Sequence, residues 1–105
     1  MRKIITAAIT LLTIVPAFGD TVEVKFAGLV DLNTYVCTDT ISSFVNRICF
    51  DEAKARVVVL LRDTYYAYCD VDPGTVAGWI AAESKGRFYN QNVKSDAVDG
   101  RFACK

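Results

Sequence analysis

The sequence predicts a small α+β domain, in which a three-stranded antiparallel sheet is followed by one long and one short helix that pack on it. Three observations support this class. Three runs rich in β-forming residues lie between residues 44 and 71 and are separated by short polar turns. The hydrophobic period then changes to that of a helix. All four cysteines follow residue 36, so two disulfides can staple the domain.

The first 19 residues have the pattern of a secretory signal peptide. Arg2 and Lys3 give a positive start, residues 4–15 are mostly apolar, and small residues at 17 and 19 precede a predicted cut after Gly19. The apolar run is shorter than the roughly 20 residues that cross a bilayer, which argues against an uncleaved anchor. We expect an exported protein, periplasmic or extracellular, with no stable membrane span after cleavage.

Residues 20–41 are interpreted as an N-terminal lead-in, and residues 42–105 as the main domain. Apolar and polar residues alternate from Thr21 to Phe26, which fits either a short strand or a mobile segment. The main domain begins with predicted strands at Phe44–Phe50, Arg56–Leu61 and Tyr65–Val71. The second of these is apolar on both faces, so it is expected at the centre of an antiparallel meander.

The helical part is predicted to begin at Asp72 and Pro73, an N-cap residue followed by a proline that suits the first turn. Its apolar stripe consists of Val76, Trp79 and Ile80. Ser84 begins a second, short helical pattern that holds Phe88, Tyr89 and Val93. Residues 95–105 are expected to form an irregular tail.

The four cysteines predict a disulfide framework, because an even number in one small exported domain is typical of such a framework. Zinc is the alternative, but the chain has no histidine and no CxxC pair. Cys49 and Cys69 would be separated by a whole strand, farther apart than the ~7 Å that a disulfide allows between Cα atoms. The sequence favours Cys37–Cys49 with Cys69–Cys104 over the crossed pairing of Cys37 with Cys69 and Cys49 with Cys104.

Charge is distributed unevenly along the chain. Residues 20–83 carry a net charge of −5 and residues 84–105 a net charge of +3, which indicates either a surface with a binding preference or an ordinary solvated face. Several features argue against an enzyme. There is no histidine and no glycine-rich phosphate loop, the cysteines are predicted to be oxidised, and Asp51 and Glu52 lie in a predicted turn where both are expected to be exposed. No cofactor or metal is expected.

Several short motifs resemble the KTSC domain, a family named for the C-terminus of certain lysyl-tRNA synthetases and found also as small free-standing bacterial proteins. These motifs are Tyr66-Ala67-Tyr68, Val71, the segment SKGRFYN at residues 84–90, and Val93-Lys94. The resemblance covers about Ser42–Lys94. Asp72 stands where the family has a proline, and the signal peptide and the cysteines also depart from the family pattern. The resemblance implies an RNA-binding role, which is a suggestion for the family and not an established function.

Tyr66 and Tyr68 are the first candidate site, since residues two apart on a strand share one face. Two rings on one sheet face can stack bases of single-stranded RNA, or they can simply pack beneath a helix. The other face carries small residues such as Ala67, which suit close contact with a helix. This contrast predicts that the tyrosine face is the more open one.

The start of the second helix is the other candidate site. Ser84 can cap this helix, and Lys85 and Arg87 add positive charge beside its free N–H groups, which together favour an anion. The alternative is a structural corner in which Ser84 caps the helix, Gly86 allows close approach and Asn90 bonds to the backbone.

Together these sites predict an exported binding module for an anionic polymer, either RNA-like or an acidic polysaccharide. The residues expected to bind it are Tyr66, Tyr68, Ser84, Lys85, Arg87, Asn90 and Lys94. The alternative is a secreted or periplasmic protein-interaction or inhibitor module. The net charge of −2 on residues 20–105 favours this alternative over general nucleic-acid binding.

Overall fold

The computed structural model describes residues 20–94 and 102–104, and the predicted signal peptide lies outside them, as does most of the predicted tail. Six strands form one sheet with the spatial order β2-β1-β6-β5-β4-β3. The strands are β1 (Thr21–Val24), β2 (Gly28–Asp31), β3 (Val36–Asp39), β4 (Val45–Asp51), β5 (Arg56–Leu61) and β6 (Thr64–Tyr68). Neighbouring strands are antiparallel, except that β1 runs parallel to β6.

The prediction of a three-stranded sheet is therefore wrong in strand number. The meander of β4, β5 and β6 forms as expected, but the lead-in contributes β1, β2 and β3 to the same sheet. Each of these added strands has only four residues, too few to give a clear periodic signal. The third predicted strand also ends early, at Tyr68 instead of Val71, and Asp70 has a left-handed φ of 58° that interrupts the extended backbone.

The helices begin where the sequence predicts. Helix α1 (Pro73–Ala81) is capped by Asp72, whose carboxylate accepts a 3.0 Å hydrogen bond from the N–H of Thr75. Helix α2 (Lys85–Phe88) continues directly into a π-helical turn at Tyr89–Lys94. The described residues thus contain one longer helix and one short helix that the π-helical turn extends, in agreement with the prediction. Among the described residues, no helix has the length and apolar character needed to cross a membrane.

Both helices cover the sheet face that carries Tyr66 and Tyr68, and Trp79 lies fully buried in the core between these layers. The ring of Trp79 stacks on that of Tyr89 at 5.8 Å, and its indole N–H donates to the carbonyl of Lys85 at 3.1 Å. The other buried residues of this core are Val45, Ile48, Val57, Val59, Val71, Val76, Val93 and Phe102. This core fixes α2 and the π-helical turn over the sheet.

The prediction that the tyrosine face is the open one is wrong. A smaller core of Val24, Leu32, Cys49 and Val58 closes the opposite face, with Ala67 packed against it. The N-terminal strands and the loop after β2, not a helix, cover this side. Strand β5 is apolar on both faces, so the residues of β6 alone do not indicate which face the helices cover.

The disulfides are Cys37–Cys49 and Cys69–Cys104, the pairing that the sequence favours. The first joins directly opposite positions of β3 and β4. The second attaches the C-terminal segment to the end of β6, where the N–H of Cys69 also donates to the carbonyl of the buried Phe102 at 2.8 Å. All four cysteines are disulfide-bonded, so none can supply the thiolate ligand that the zinc alternative requires.

Candidate ligand pocket between the sheet and the C-terminal helix

A pocket of about 460 Å³ opens between the sheet and the π-helical turn. Strands β5 and β6 and the turn between them form one wall, and the π-helical turn forms the other. The lining residues are Phe44, Leu61, Arg62, Tyr66, Tyr68, Tyr89, Asn90 and Lys94. Aromatic rings therefore dominate its interior, while its polar and cationic groups come from Arg62, Asn90 and Lys94.

Two tyrosine hydroxyls are joined at the base of this aromatic interior. The hydroxyl oxygens of Tyr68 and Tyr89 share a hydrogen bond of 2.6 Å, and their rings meet edge to face at 6.1 Å between centroids. The ring of Phe44 contacts Tyr89 with the same geometry at 6.1 Å. Tyr66 is half-buried beside them and packs against the same core. The rings are thus held in place by one another and by the core.

The tyrosines at the base of the pocket are neutral at physiological pH. Burial raises the pKa of the Tyr68 hydroxyl far above its ordinary value, and the hydrogen bond to Tyr89 adds to this increase. Burial also raises the pKa of Tyr89. The aromatic interior therefore offers rings without negative charge, which an anionic ligand can approach without repulsion.

The two cations of the pocket enter from different elements. Arg62 lies in the turn between β5 and β6, where its N–H donates to the carbonyl of Phe44 at 2.8 Å. Its guanidinium lies 5.8 Å from the centre of the Phe44 ring. Lys94 is exposed at the end of the π-helical turn. Within residues 20–94 and 102–104, neither Arg62 nor Lys94 forms an ion pair.

The structure brings together only part of the predicted site. Tyr66, Tyr68, Asn90 and Lys94 line the pocket, but the other three residues lie outside it, at the N-cap of α2 and within this helix. Ser84 caps α2 by accepting from the N–H of Arg87 at 3.2 Å, and the ammonium of Lys85 donates to the carbonyl of Ala82 at 2.7 Å. The Ser84 cap agrees with the structural corner weighed above, whereas Asn90 lies in the pocket lining.

Gly86 explains why α2 approaches the sheet so closely. A Cβ atom at this position would lie 2.6 Å from the Phe44 ring, a distance that forces a shift of the ring or of the helix. Gly78 has a different environment, because a Cβ there would meet Phe88 at an ordinary 3.4 Å. The close approach that positions the pocket's walls therefore depends on Gly86.

Sequence reasoning missed four members of the pocket, which are Phe44, Leu61, Arg62 and Tyr89. Arg62 was recoverable in part, since the pairing of Leu61 with Thr64 places it in a tight turn beside the aromatic strand. Tyr89 and Phe44 lie in apolar patterns, which indicate only that they are core residues. Their contribution depends on where α2 crosses the sheet, which no short stretch of sequence specifies.

Asp51 corrects the expectation of an exposed carboxylate pair. It is only 3% exposed and accepts a 2.6 Å hydrogen bond from the hydroxyl of Thr34. This hydrogen bond, with others from the backbone around Lys54, lowers the pKa of Asp51. The carboxylate thus fastens the loop after β2 to the end of β4. In the described part of the chain, no three His, Cys, Asp or Glu side chains are grouped as metal ligands.

Comparison with known proteins identifies the family to which the chain belongs. The family model of the KTSC domain matches residues 41–96, more than half of the chain. This protein therefore belongs to the KTSC domain family, as the sequence motifs indicate. Every residue that lines the pocket lies within the matched range, whereas β1, β2 and β3 precede it.

A solved structure shows the same fold. The crystal structure of a KTSC domain protein from Yersinia pestis aligns over 68% of this chain and 94% of that chain, with a TM-score of 0.57 and 24% sequence identity. A comparison with curated proteins gave no match.

Proposed function

We propose that this protein is an exported binding module that holds an anionic ligand in the pocket between the sheet and the π-helical turn. A ring-shaped unit of the ligand contacts Tyr66 and Tyr68, and its negative group lies between Arg62 and Lys94. The observation that carries this proposal is the combination of neutral aromatic rings with two cations that lack ion-pair partners in the described residues. Two disulfides are compatible with a place of action outside the cytosol.

The geometry favours insertion of one ring over stacking along an open sheet. Both tyrosines are half-buried, and helices cover their face of the sheet. Open-sheet RNA-binding domains stack consecutive bases on exposed aromatic rings. The covered face of this sheet does not offer an exposed surface of that kind. An RNA-like or acidic-polysaccharide chain instead presents one nucleotide or one acidic sugar to the pocket, with its backbone remaining in solvent.

The side chains of the pocket favour binding over catalysis. Nucleophilic and acid–base catalysis require a group whose pKa is tuned toward the working pH, whereas burial moves the pKa of Tyr68 and Tyr89 away from it. Arg62 and Lys94 supply positive charge without a neighbouring carboxylate in the pocket lining. These groups can orient and neutralise a ligand, which is the chemistry of a binding module.

The test is a fluorescence-anisotropy titration of the protein with a labelled oligouridylate and with a labelled oligogalacturonate. Lys94→Gln and Arg62→Gln should each weaken binding of the preferred probe by roughly fivefold to tenfold, equivalent to about 1–1.4 kcal/mol. The matched control is Arg87→Gln, which removes the same charge at an exposed position outside the pocket and should leave the affinity unchanged. Equal losses in all three variants would show non-specific attraction and reject the pocket.

A further inference from the structure

The outer edge of the sheet at β3 carries features of a second binding surface, distinct from the pocket. Strand β3 pairs with β4 on one side, and no strand of the described residues pairs with its other side. Natural sheets usually protect such an edge with charges, prolines or bulges. Here Val36 is 75% exposed on the strand, and Ile41, two residues after its end, is fully exposed.

Among the described residues, the outward backbone groups of β3 have no strand as a hydrogen-bonding partner along this edge. The N–H of Thr40 donates to the carbonyl of Asn46 on the β4 side. Because the direction of the backbone groups alternates along a strand, the N–H and C=O groups of Thr38 and Val36 also point toward β4. Those of Cys37 and Asp39 point away from the sheet. The Cα distance of 3.9 Å between Cys37 and Cys49 agrees with the close spacing of a pair that exchanges no ladder hydrogen bonds. The disulfide at this pair fixes β3 to the sheet, so the edge is a rigid template.

A groove of about 490 Å³ lies beside the edge, on the sheet face covered by α1. Val36 and Thr38 point into it from β3, Phe50 from β4, and Val76 and Ile80 from α1. A strand added to the edge would place every second side chain in this groove. Main-chain hydrogen bonds with pockets for alternate side chains are the arrangement by which proteins bind extended peptides.

The charge around the edge is negative on the face away from the groove. Asp39 lies on the face away from the groove with its side chain 85% exposed, and the nearby cation, Arg47, is shared between Asp39 at 3.3 Å and Asp20 at 3.5 Å. Two carboxylates thus surround one guanidinium on this face, which leaves an excess of negative charge.

Asp51 and Glu52 line the end of the groove, where Lys54 lies 4.0 Å from Asp51 and Arg56 is the cross-strand partner of Asp51. The charges at this end are therefore balanced, and the excess of negative charge lies on the face of Asp39. A second copy of this edge would bring like charges together, whereas a basic strand complements them.

We infer that the β3 edge binds an extended segment of a partner protein, with apolar side chains at alternate positions facing the groove and basic side chains at the positions between them. The segment adds a seventh strand to the sheet, hydrogen-bonded to Cys37 and Asp39. This surface is separate from the pocket of Arg62 and Lys94, so it can be tested independently of the proposed ligand.

The test uses a short blocked peptide in which lysine and valine alternate, titrated by NMR against the oxidised protein. Two control peptides replace the lysines with glutamate or group the same residues into separate blocks. The alternating basic peptide should bind and slow hydrogen exchange at the amides of Cys37 and Asp39, while both control peptides bind roughly tenfold more weakly or not at all. Equal binding of the three peptides, or unchanged exchange at Cys37 and Asp39, would overturn the inference.

Two matched variants locate the interaction. Val36→Lys should weaken binding roughly tenfold, whereas Leu29→Lys, on the opposite edge strand and also 75% exposed, should have no effect. Asp39→Pro removes an outward N–H that β4 does not use, so it should weaken binding more than Asp39→Asn, which removes the charge alone. Equal losses at Val36 and Leu29, or dimerisation abolished by Val36→Lys in sedimentation experiments, would contradict a partner segment at this edge.

Discussion

The hydroxyl oxygens of Tyr68 and Tyr89 lie 2.6 Å apart, and this hydrogen bond joins strand β6 to the π-helical turn across the base of the candidate pocket. One of the two residues belongs to the central part of the sheet and the other to the last described helical segment. Their contact therefore ties the two walls of the pocket together, and several measurable properties follow from it.

Removing either hydroxyl should destabilise the fold. In Tyr68→Phe or Tyr89→Phe, the hydroxyl that remains loses its partner, at the buried Tyr89 or the half-buried Tyr68. This loss costs about 1–2 kcal/mol in the free energy of unfolding. Urea denaturation followed by tryptophan fluorescence measures this change, since Trp79 stacks on Tyr89. Tyr66→Phe is the control and should change stability by less than about 0.5 kcal/mol. A loss at Tyr66 as large as that at Tyr68 would contradict this assignment.

Stability should also fall at alkaline pH because of Tyr68. Burial raises its pKa in the folded protein above the ordinary value of 10.0. The folded state therefore favours the neutral hydroxyl, and this stabilisation is fully present below about pH 10, where the unfolded chain is also neutral. It is lost progressively as pH rises further toward the folded-state pKa. Thermal unfolding between about pH 8 and pH 11 should show this decline.

The decline should be shallower in Tyr68→Phe than in the wild type. Tyr66→Phe, which leaves the hydrogen bond between Tyr68 and Tyr89 in place, is the control. An identical alkaline decline in the wild type and Tyr68→Phe would show that other groups control this pH range.

The two helical glycines should respond differently to alanine. Gly86→Ala introduces a Cβ that would lie 2.6 Å from the ring of Phe44, and relieving this overlap should cost about 1–3 kcal/mol. Gly78→Ala has an ordinary 3.4 Å contact with Phe88 and gains helix propensity, so it should be neutral or stabilising by up to about 1 kcal/mol. Denaturant midpoints of the two variants measure the difference. Equal effects would show that α2 does not approach Phe44 this closely.

Reduction of the Cys69–Cys104 disulfide should release the C-terminal segment. This bond closes a separation of 35 residues in the sequence, against 12 for Cys37–Cys49. Replacing Cys69 and Cys104 with serine should therefore cost about 3–4 kcal/mol and increase hydrogen exchange around Phe102, which is buried in the main core. Replacing Cys37 and Cys49 should leave the exchange around Phe102 unchanged. If both double variants expose Phe102 equally, the second disulfide does not hold this segment.

Much of the fold could be predicted because its signals are local. The caps at Asp72 and Ser84 and the two-sided apolar run of β5 each depend on a few neighbouring residues, and the structure has these features where they were expected. The family motifs likewise lie in one continuous range that the family model matches.

The remaining features depend on contacts between distant residues. Strands of four residues at positions 21–39 become ordered through β6 and β4, not through their own pattern. The choice of the covered sheet face depends on where Trp79 and Tyr89 pack. The predicted binding residues likewise divide into a pocket group and a corner group. The distance between Lys94 and Lys85 depends on the turn of the helix and on where the helix crosses the sheet.

The central claim is that an anionic ligand enters the pocket between β6 and the π-helical turn. Its most direct test follows the ring resonances of the five tyrosines by NMR, at low salt, as oligouridylate or oligogalacturonate is added. The account predicts that Tyr66 and Tyr68 shift with one of these ligands, that Tyr35 and Tyr65 on the opposite face do not, and that added salt reverses the change. Shifts confined to Tyr35 and Tyr65, or none at Tyr66 and Tyr68 with either ligand, would contradict it.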